Sequence, residues 1–174
     1  NALWAFPELY AISIFNRIKG RLLNYLINPI SIYNKIAKRF PKEKVETGDG
    51  RKVYAAAEAL YQSALLRQRN SQWEKAFNVL QKVIDQYPSY DFDRVIDAQI
   101  SIANKLGQGA RTKIFRVIPG FRNLGKAREF HKKIAENARG PEYAPAALMK
   151  SAEIARGDDK QIEAIDSLER LINL

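Results

Sequence analysis

Apolar residues recur every three or four positions along most of the chain, and this spacing is typical of amphipathic helices. The clearest example is "AEALYQSALLRQRNSQWEKAFNVLQKVIDQYP", residues 57–88, where a short polar turn separates two apolar stripes. Leu60 and Leu65 lie on the first stripe and Leu80 lies on the second. Pro88 ends the second stripe, because proline lacks the amide donor that a helix needs. We therefore predict two antiparallel helices in this segment and an all-α fold for the chain.

The same two-helix unit recurs twice further along the chain. Each copy carries small residues where its two helices must approach closely, namely Ala64 with Ala76, Ala103 with Ala127, and Ala152 with Ala164. The first and third pairs are separated by twelve residues, and the middle pair is separated by twenty-four. The middle unit therefore contains an insertion between its helices, which we predict to be a loop at about residues 108–123.

This pattern divides the chain into three segments. Residues 1–41 hold a hydrophobic and basic stretch and a degenerate first repeat, residues 42–52 form a polar linker, and residues 53–174 hold three repeats. The apolar runs near the start are too short to span a bilayer. We favour a role for them as a cap on the first repeat or as a contact with a partner, over an amphipathic helix on an anionic membrane. We also expect a longer natural chain, because Asn1 is not a start methionine and the last repeat is incomplete.

The repeat resembles the tetratricopeptide repeat, a helical pair that stacks into a solenoid. The resemblance rests on small, aromatic, aliphatic and proline positions of the first full unit: Leu60, Ala64, Trp73, Ala76, Leu80 and Pro88. It implies a solenoid of antiparallel helix pairs that works as an interaction scaffold and has no catalytic role.

From about Tyr54 to Leu174 the chain also resembles the BamD-like lipoproteins of the outer-membrane β-barrel assembly machinery. The resemblance rests on "YPSYDFDRVIDAQISIANKL", on the basic insertion, and on "LGKAREFHKKIAENARGPEYAPAALMKSAEIA". It implies a lipoprotein on the periplasmic face of the outer membrane that docks a barrel-assembly subunit or an extended peptide. The lipidated cysteine of that family is missing from this sequence. A cytoplasmic location remains an alternative.

No residue pattern in the sequence matches a catalytic, cofactor or metal site. The chain has no cysteine and one histidine, His131, which we interpret as a packing or surface residue because a lone histidine makes neither a triad nor a metal site. "GQGARTK" lacks the spacing of a phosphate-binding loop. We interpret Ser71 with Glu74 as a capping box, and Asp91 with Asp93 and Asp158 with Asp159 as helix caps.

Two groups of residues are candidates for binding a partner. The first lies on the inner face of the first helices and suits an extended peptide or a partner helix; it contains Glu58, Tyr61, Leu65, Arg69, Asp97, Ile100, Asn104, Met149 and Glu153. The second is the basic insertion, which we expect to face an acidic protein surface or anionic lipid; it contains Arg111, Lys113, Phe115, Arg116, Phe121 and Arg122. Each groove residue has an alternative role in packing on the next repeat.

The formal charge of +10 predicts attraction to acidic partners and does not identify them. Because no nucleic-acid motif is present, we rank nucleic-acid binding below a protein scaffold. An adaptor in envelope division or polysaccharide export is the other alternative to outer-membrane assembly. The sequence therefore favours a non-enzymatic protein-interaction scaffold without a cofactor.

Overall fold

The computed structural model describes residues 29–48, 50–114, 118–138 and 141–174, with the backbone alone at 111–114 and 118–121. These residues belong to two compact units, 1–63 and 64–174, which divide within one helix. The described residues contain seven helices: α1 (Pro29–Arg39), α2 (Ala55–Arg69), α3 (Trp73–Gln86), α4 (Phe92–Gly107), α5 (Leu124–Asn137), α6 (Tyr143–Gly157) and α7 (Gln161–Ile172). The prediction of an all-α helical-repeat fold is confirmed.

The first unit contains α1 and the first half of α2. Pro29 begins α1, where its missing amide hydrogen costs no hydrogen bond. Ile30, Tyr33 and Ile36 are buried on one face of this helix. The Ser63 hydroxyl on α2 donates a hydrogen bond to the Asn34 side-chain oxygen at 3.2 Å, which joins the two helices. The N-terminal stretch, residues 1–28, lies outside the described residues, so its proposed roles stay predictions.

The predicted linker, residues 42–52, contains ordered structure. Strand β1 (Lys44–Glu46) pairs antiparallel with β2 (Lys52–Tyr54), and Val45 lies opposite Val53. Residues 47, 48, 50 and 51, from the polar stretch that suggested a linker, lie between the two strands. The Thr47 amide accordingly donates a hydrogen bond to the Arg51 carbonyl at 2.8 Å. The polar residues therefore belong to a β-hairpin that leads directly into α2.

The second unit stacks helix pairs, with α3, α5 and α7 as the second helix of each pair. Phe77 of α3 stacks on Phe130 of α5, with ring centroids 3.8 Å apart. Ion pairs then join α5 to α7 in parallel order along both helices: Arg128 with Glu163 at 2.7 Å, Lys132 with Asp166 at 2.6 Å, and Glu136 with Arg170 at 3.5 Å. Each pair thus packs on the next through its second helix.

Small residues allow the first helices to approach their neighbours. A methyl group added at Gly107 of α4 would lie 2.7 Å from Ile154 Cδ1 of α6 and 3.9 Å from Ala127 of α5. Five of the six predicted alanines at helix crossings are buried, and Ala164 is half-buried. The pairing of these alanines across each crossing stays a prediction. In the last pair, the buried hydroxyls of Ser151 and Ser167 lie 3.1 Å apart and join α6 to α7.

The insertion of the middle repeat is a β-hairpin, where the sequence predicted a loop. Strand β3 (Arg111–Ile114) pairs antiparallel with β4 (Ile118–Arg122), with an irregularity between Arg111 and Lys113. The alternation of β-branched and basic residues is too short to indicate a strand by itself, which explains the difference. Residues 115–117 lie outside the described part of the chain. We refer to β3 and β4 together as the basic ribbon.

The predicted helix caps are confirmed at one position only. The Asp91 carboxylate accepts a hydrogen bond from the Arg94 amide at 3.1 Å and caps α4. The capping box at Ser71 is wrong: Ser71 has a φ of 56°, and α3 starts after Gln72 without a side-chain cap. Asp158 follows the last residue of α6, where its carboxylate binds Arg128. The backbone amides of Ser71 and Asp158 bond back to carbonyls of the preceding helix, so these two residues end one helix and do not begin the next.

Candidate partner-binding surface

Within the second unit, residues 64–69 of α2 lie beside α4, and α4 lies beside α6; these parts of three first helices form the candidate surface. The Gln68 amide of α2 donates a hydrogen bond to the Ser101 hydroxyl of α4 at 3.1 Å. The Tyr143 hydroxyl of α6 donates to the Asp93 carboxylate of α4 at 3.0 Å, and the ring of Tyr143 meets Phe92 edge to face. These contacts place α4 between the end of α2 and the start of α6.

Electrostatics keeps the Tyr143 hydroxyl protonated, so it acts as the donor in its hydrogen bond with Asp93. Desolvation at the helix contact and the neighbouring Asp93 carboxylate raise the pKa of Tyr143 to about 12. The phenol therefore keeps its proton at physiological pH and remains a donor to Asp93. This fixed contact holds the first turns of α4 and α6 together at one end of the surface.

Most of the predicted groove residues remain accessible in this unit. Leu65, Ile100 and Asn104 are half-buried, Arg69 is exposed, and Met149 is 45% exposed. Glu153 is also exposed, and its carboxylate pairs with the Lys150 ammonium at 2.7 Å. The hydrogen bond from Lys150 lowers the pKa of Glu153, so this carboxylate is charged at neutral pH. The surface thus combines apolar side chains with amide and charged groups.

Tyr61 does not fit the prediction that it lines an open groove. Its side chain is 7% exposed and belongs to the first unit, within a helix whose neighbouring residues Ala57, Ala59 and Ser63 are also buried. A ring with so little accessible area offers little surface to a partner. Glu58 of the same unit is half-buried, and its carboxylate accepts a hydrogen bond from the Gln62 amide at 2.7 Å.

Sequence reasoning did not single out three polar residues of this surface. Gln68 and Ser101 join α2 to α4, and Lys150 pairs with Glu153 beside Met149. Their helical spacing from predicted groove residues could have indicated them, because Gln68 follows Leu65 by three positions, Ser101 precedes Asn104 by three and Lys150 precedes Glu153 by three. Side chains three or four positions apart share one face of a helix.

The residues of the basic ribbon are only partly described. The backbones of Arg111 and Arg122 lie opposite each other in the two strands, and Arg122 is exposed. Gly109 has a φ of 82°, and a methyl group there would lie 3.0 Å from Arg122 Nε, so this guanidinium packs over the turn that enters the ribbon. Phe115 and Arg116 lie outside the described residues, and Lys113 and Phe121 are described by their backbone alone. Their proposed contacts stay predictions.

A second concave region lies between the second helices α3, α5 and α7. This cleft has a volume of about 460 Å³ and lies beside the stacked rings of Phe77 and Phe130. The two rings are 2% and 3% exposed, so they offer no open aromatic surface. Three of its four cations, Arg128, Lys132 and Lys133, pair with a carboxylate at 3.1 Å or less, and the fourth, Arg170, pairs with Glu136 at 3.5 Å. Every cation of the cleft is therefore already paired, and we place the candidate site on α2, α4 and α6.

Within the described parts of the chain, no group of three or more histidine or acidic side chains could hold a metal ion. No helix in those parts has both the length and the apolar character needed to cross a membrane.

Comparison with known proteins identifies one repeat. Residues 58–90 match the family model of the tetratricopeptide repeat. No curated protein and no solved structure gives a significant match to the chain. The matched range covers most of α2, the whole of α3 and the turn that leads to α4. The chain therefore contains a tetratricopeptide repeat formed by its second and third described helices.

Proposed function

We propose that this chain is a non-enzymatic scaffold that binds a protein partner along α2, α4 and α6. Tetratricopeptide repeats generally mediate protein–protein interactions, and residues 58–90 match that family. The observation that supports this location most directly is the contact between Gln68 and Ser101, which makes the first helices of two successive repeats neighbours. A partner can therefore contact both repeats at once.

The chemistry of the surface suits an extended peptide. Leu65, Ile100 and Met149 supply separate apolar positions on three helices, and Asn104 supplies an amide that can pair with a peptide backbone. An extended segment places alternate side chains on one side, so it can meet apolar positions while its backbone groups bind polar side chains. The partner segment that we propose alternates apolar and polar residues.

The more specific role that we propose is in outer-membrane protein assembly, at the periplasmic face of that membrane. It is supported by the resemblance to BamD-like lipoproteins at "YPSYDFDRVIDAQISIANKL" and at the segment that starts at Leu124. The partner would then be a barrel-assembly subunit or an extended segment of an unfolded barrel protein. Fractionation of the natural full-length protein tests this location: recovery in the cytosol would contradict it and leave the scaffold role standing.

We predict that Ile100→Glu weakens partner binding. Ile100 is half-buried at the middle of the surface, and a carboxylate there would be desolvated by an apolar partner. We expect a loss of about 1–2 kcal/mol, or roughly fivefold to thirtyfold in affinity. The measurement is co-purification from native membranes with the natural full-length protein, followed by titration of the partner so identified.

Asn78→Glu provides the matched control, because it adds the same charge at an exposed position on α3. Circular dichroism should show equal helicity in both variants. If folded Ile100→Glu binds the partner as tightly as the control, the surface on α2, α4 and α6 is not the binding site.

The basic ribbon supports a second proposed contact, with anionic lipid headgroups or an acidic protein surface. The segment from Arg111 to Arg122 contains four cations and no carboxylate, and Arg111 lies opposite Arg122 across the strands. Like charges opposite each other destabilise a strand pair, and a bound anion would relieve this repulsion.

We predict that reversal of charge at Arg111, Lys113 and Arg122 abolishes binding to vesicles that contain phosphatidylglycerol. Binding of the unmodified chain should weaken as salt is added, because exposed charges are screened. Vesicles of neutral lipid are the control. Salt-sensitive binding of the natural protein partner, without vesicle binding, would assign the ribbon to an acidic protein surface.

A further inference from the structure

The parts of α2, α4 and α6 that lie in the second unit run in the same direction. A hydrogen bond joins the first turns of α4 and α6, and Gly107 in the last turn of α4 lies against Ile154 in the last turn of α6. Near the end of α2, the Gln68 amide donates to Ser101 in the second half of α4. The carboxyl-terminal ends of the three helices therefore share one edge of the candidate surface, and the basic ribbon leaves α4 at that edge.

Each of the three helices carries an exposed cation in its last turn: Arg69 on α2, Lys105 on α4 and Arg156 on α6. Within the described part of the chain, none of the three forms an ion pair with a carboxylate. The neighbouring Glu153 is bound by Lys150 at 2.7 Å, which lowers the pKa of this carboxyl more than Arg156 does. By contrast, all four cations of α5 bind carboxylates at 3.1 Å or less. Unpaired positive charge therefore borders the candidate surface.

The helix dipole does not by itself account for these cations. The carboxyl-terminal end of any helix carries partial negative charge and favours a cation in its last turn. The second helices α3 and α5 nevertheless have no basic residue in their last turns. The cation in the last turn of α7, Arg170, is paired with Glu136 at 3.5 Å. Unpaired cations in a last turn thus belong to the first helices, which form the candidate surface, and they are available to an external anion.

The opposite end of the candidate surface is acidic. Asp93 and Asp97 on α4 and Glu142 just before α6 are exposed. Desolvation and then these three carboxylates raise the pKa of Tyr143 to about 12, so all three lie near one hydroxyl. A carboxylate of a bound partner would be repelled from this end and attracted to the other. The surface therefore has a polarity that determines where the negative charges of a partner lie.

We propose, on the basis of the proposed function, that the segment bound along α2, α4 and α6 is acidic and that its carboxylates lie beside Arg69, Lys105 and Arg156. The polar residues that alternate with its apolar residues are then aspartate or glutamate. Arginine and lysine have long side chains that end in several donors, so they can reach over a bound segment to its carboxylates. Charges at the edge of a contact mainly speed association and select the partner. These cations thus give the surface specificity, while its apolar residues supply the contact area.

Three short synthetic peptides with the same apolar residues test this proposal. Leucine alternates with glutamate in the first peptide, with glutamine in the second and with lysine in the third. Binding of each labelled peptide to the 174-residue chain is titrated at low and at high salt. We expect the glutamate peptide to bind about tenfold more tightly than the glutamine peptide at low salt, and the lysine peptide to bind most weakly. The preference for glutamate should decrease as salt is added, because exposed charges are screened.

Arg69→Gln combined with Arg156→Gln tests the location of the partner's carboxylates. This variant should reduce the preference for glutamate over glutamine from about tenfold to about twofold, because two of the cations are gone. Lys82→Gln combined with Lys133→Gln is the matched control, since it removes the same charge from exposed positions on α3 and α5. The control should keep the full preference, and circular dichroism should show equal helicity in both variants.

The same titrations separate this proposal from the proposed function. Equal binding of the glutamate and glutamine peptides would overturn the acidic segment, and the proposed function would stand if Ile100→Glu weakens the glutamine peptide. Failure of all three peptides to bind would overturn both. An equal preference in the Arg69 and Arg156 variant and in its control would also overturn the proposal. If the peptides bind equally and phosphatidylglycerol vesicles bind through Arg69 and Arg156, these cations contact lipid and the proposal is wrong.

Discussion

His131→Leu is expected to stabilise the second unit and to remove much of its sensitivity to acid between about pH 6.5 and pH 4. The His131 side chain is 2% exposed, and neither ring nitrogen has a hydrogen-bond partner among the described residues. In the alignment of the repeats, His131 occupies the same position as Leu80 of α3, which is fully buried. Leucine therefore suits this site, and removal of unpaired polar atoms should add about 1–2 kcal/mol to the free energy of unfolding at pH 7.

The acid sensitivity follows from the pKa of His131. Burial and the Lys150 ammonium on α6 lower this pKa from 6.5 to about 4, and the Glu153 carboxylate opposes part of that shift. Between these values the unfolded chain binds a proton that the folded chain does not bind, so stability falls as the pH falls. At about 1.4 kcal/mol per pKa unit, the loss is about 3 kcal/mol and is complete below about pH 4.

Urea unfolding at several pH values measures this effect in the unmodified chain and in His131→Leu. Exposed carboxylates such as Glu153 and Asp166 titrate in both proteins, so the difference between the two curves isolates His131. The difference should be smallest above pH 7 and should grow by about 3 kcal/mol towards pH 4. Parallel curves over that range would show that the histidine is protonated in the folded state or is not buried.

The helix pairs could be predicted from the sequence because their evidence is local. Ala76, Leu80 and Val83 repeat at helical spacing on α3, and all three are buried. The two hairpins could not be predicted, because each strand has only three to five residues, too few for an alternation of apolar and polar positions to distinguish a strand from a loop. Val45 opposite Val53 and Ile114 opposite Ile118 are recognisable as pairs only after the chain has folded.

Buried polar residues were also beyond what the sequence could show. Gln99 occupies the position of Leu60 and Leu148 in the repeat, yet it is fully buried and its amide donates to Gln81 at 3.2 Å. Helical periodicity identifies the buried face of a helix but not the polar partners that lie across it. The same limit explains the wrong prediction for Tyr61 of the candidate surface. Its position on α2 suggested a groove, and its burial became visible only in the structure.

The largest loss of stability is expected when both carboxylates that bind Arg128 are neutralised, as in Asp158→Asn with Glu163→Gln. Arg128 is 6% exposed, and its guanidinium donates to Asp158 at 2.6 Å and to Glu163 at 2.7 Å. Burial lowers the pKa of Arg128, but hydrogen bonds to the two carboxylates outweigh this effect and raise it overall. Neutral partners would leave a buried cation without compensating charge, at a cost of about 3–5 kcal/mol.

The lower end of that range, about 3 kcal/mol, is the expected value, because both carboxylates are partly exposed and water screens part of their interaction with Arg128. Addition of Arg128→Met to the double variant should recover most of the loss. Methionine fills the space of the arginine stem and carries no charge to desolvate. Urea unfolding at pH 7 measures all three proteins. If the double variant is as stable as the unmodified chain, the ion pairs make no net contribution. If instead the methionine variant stays as unstable as the double variant, lost packing and not the unpaired charge is the cause.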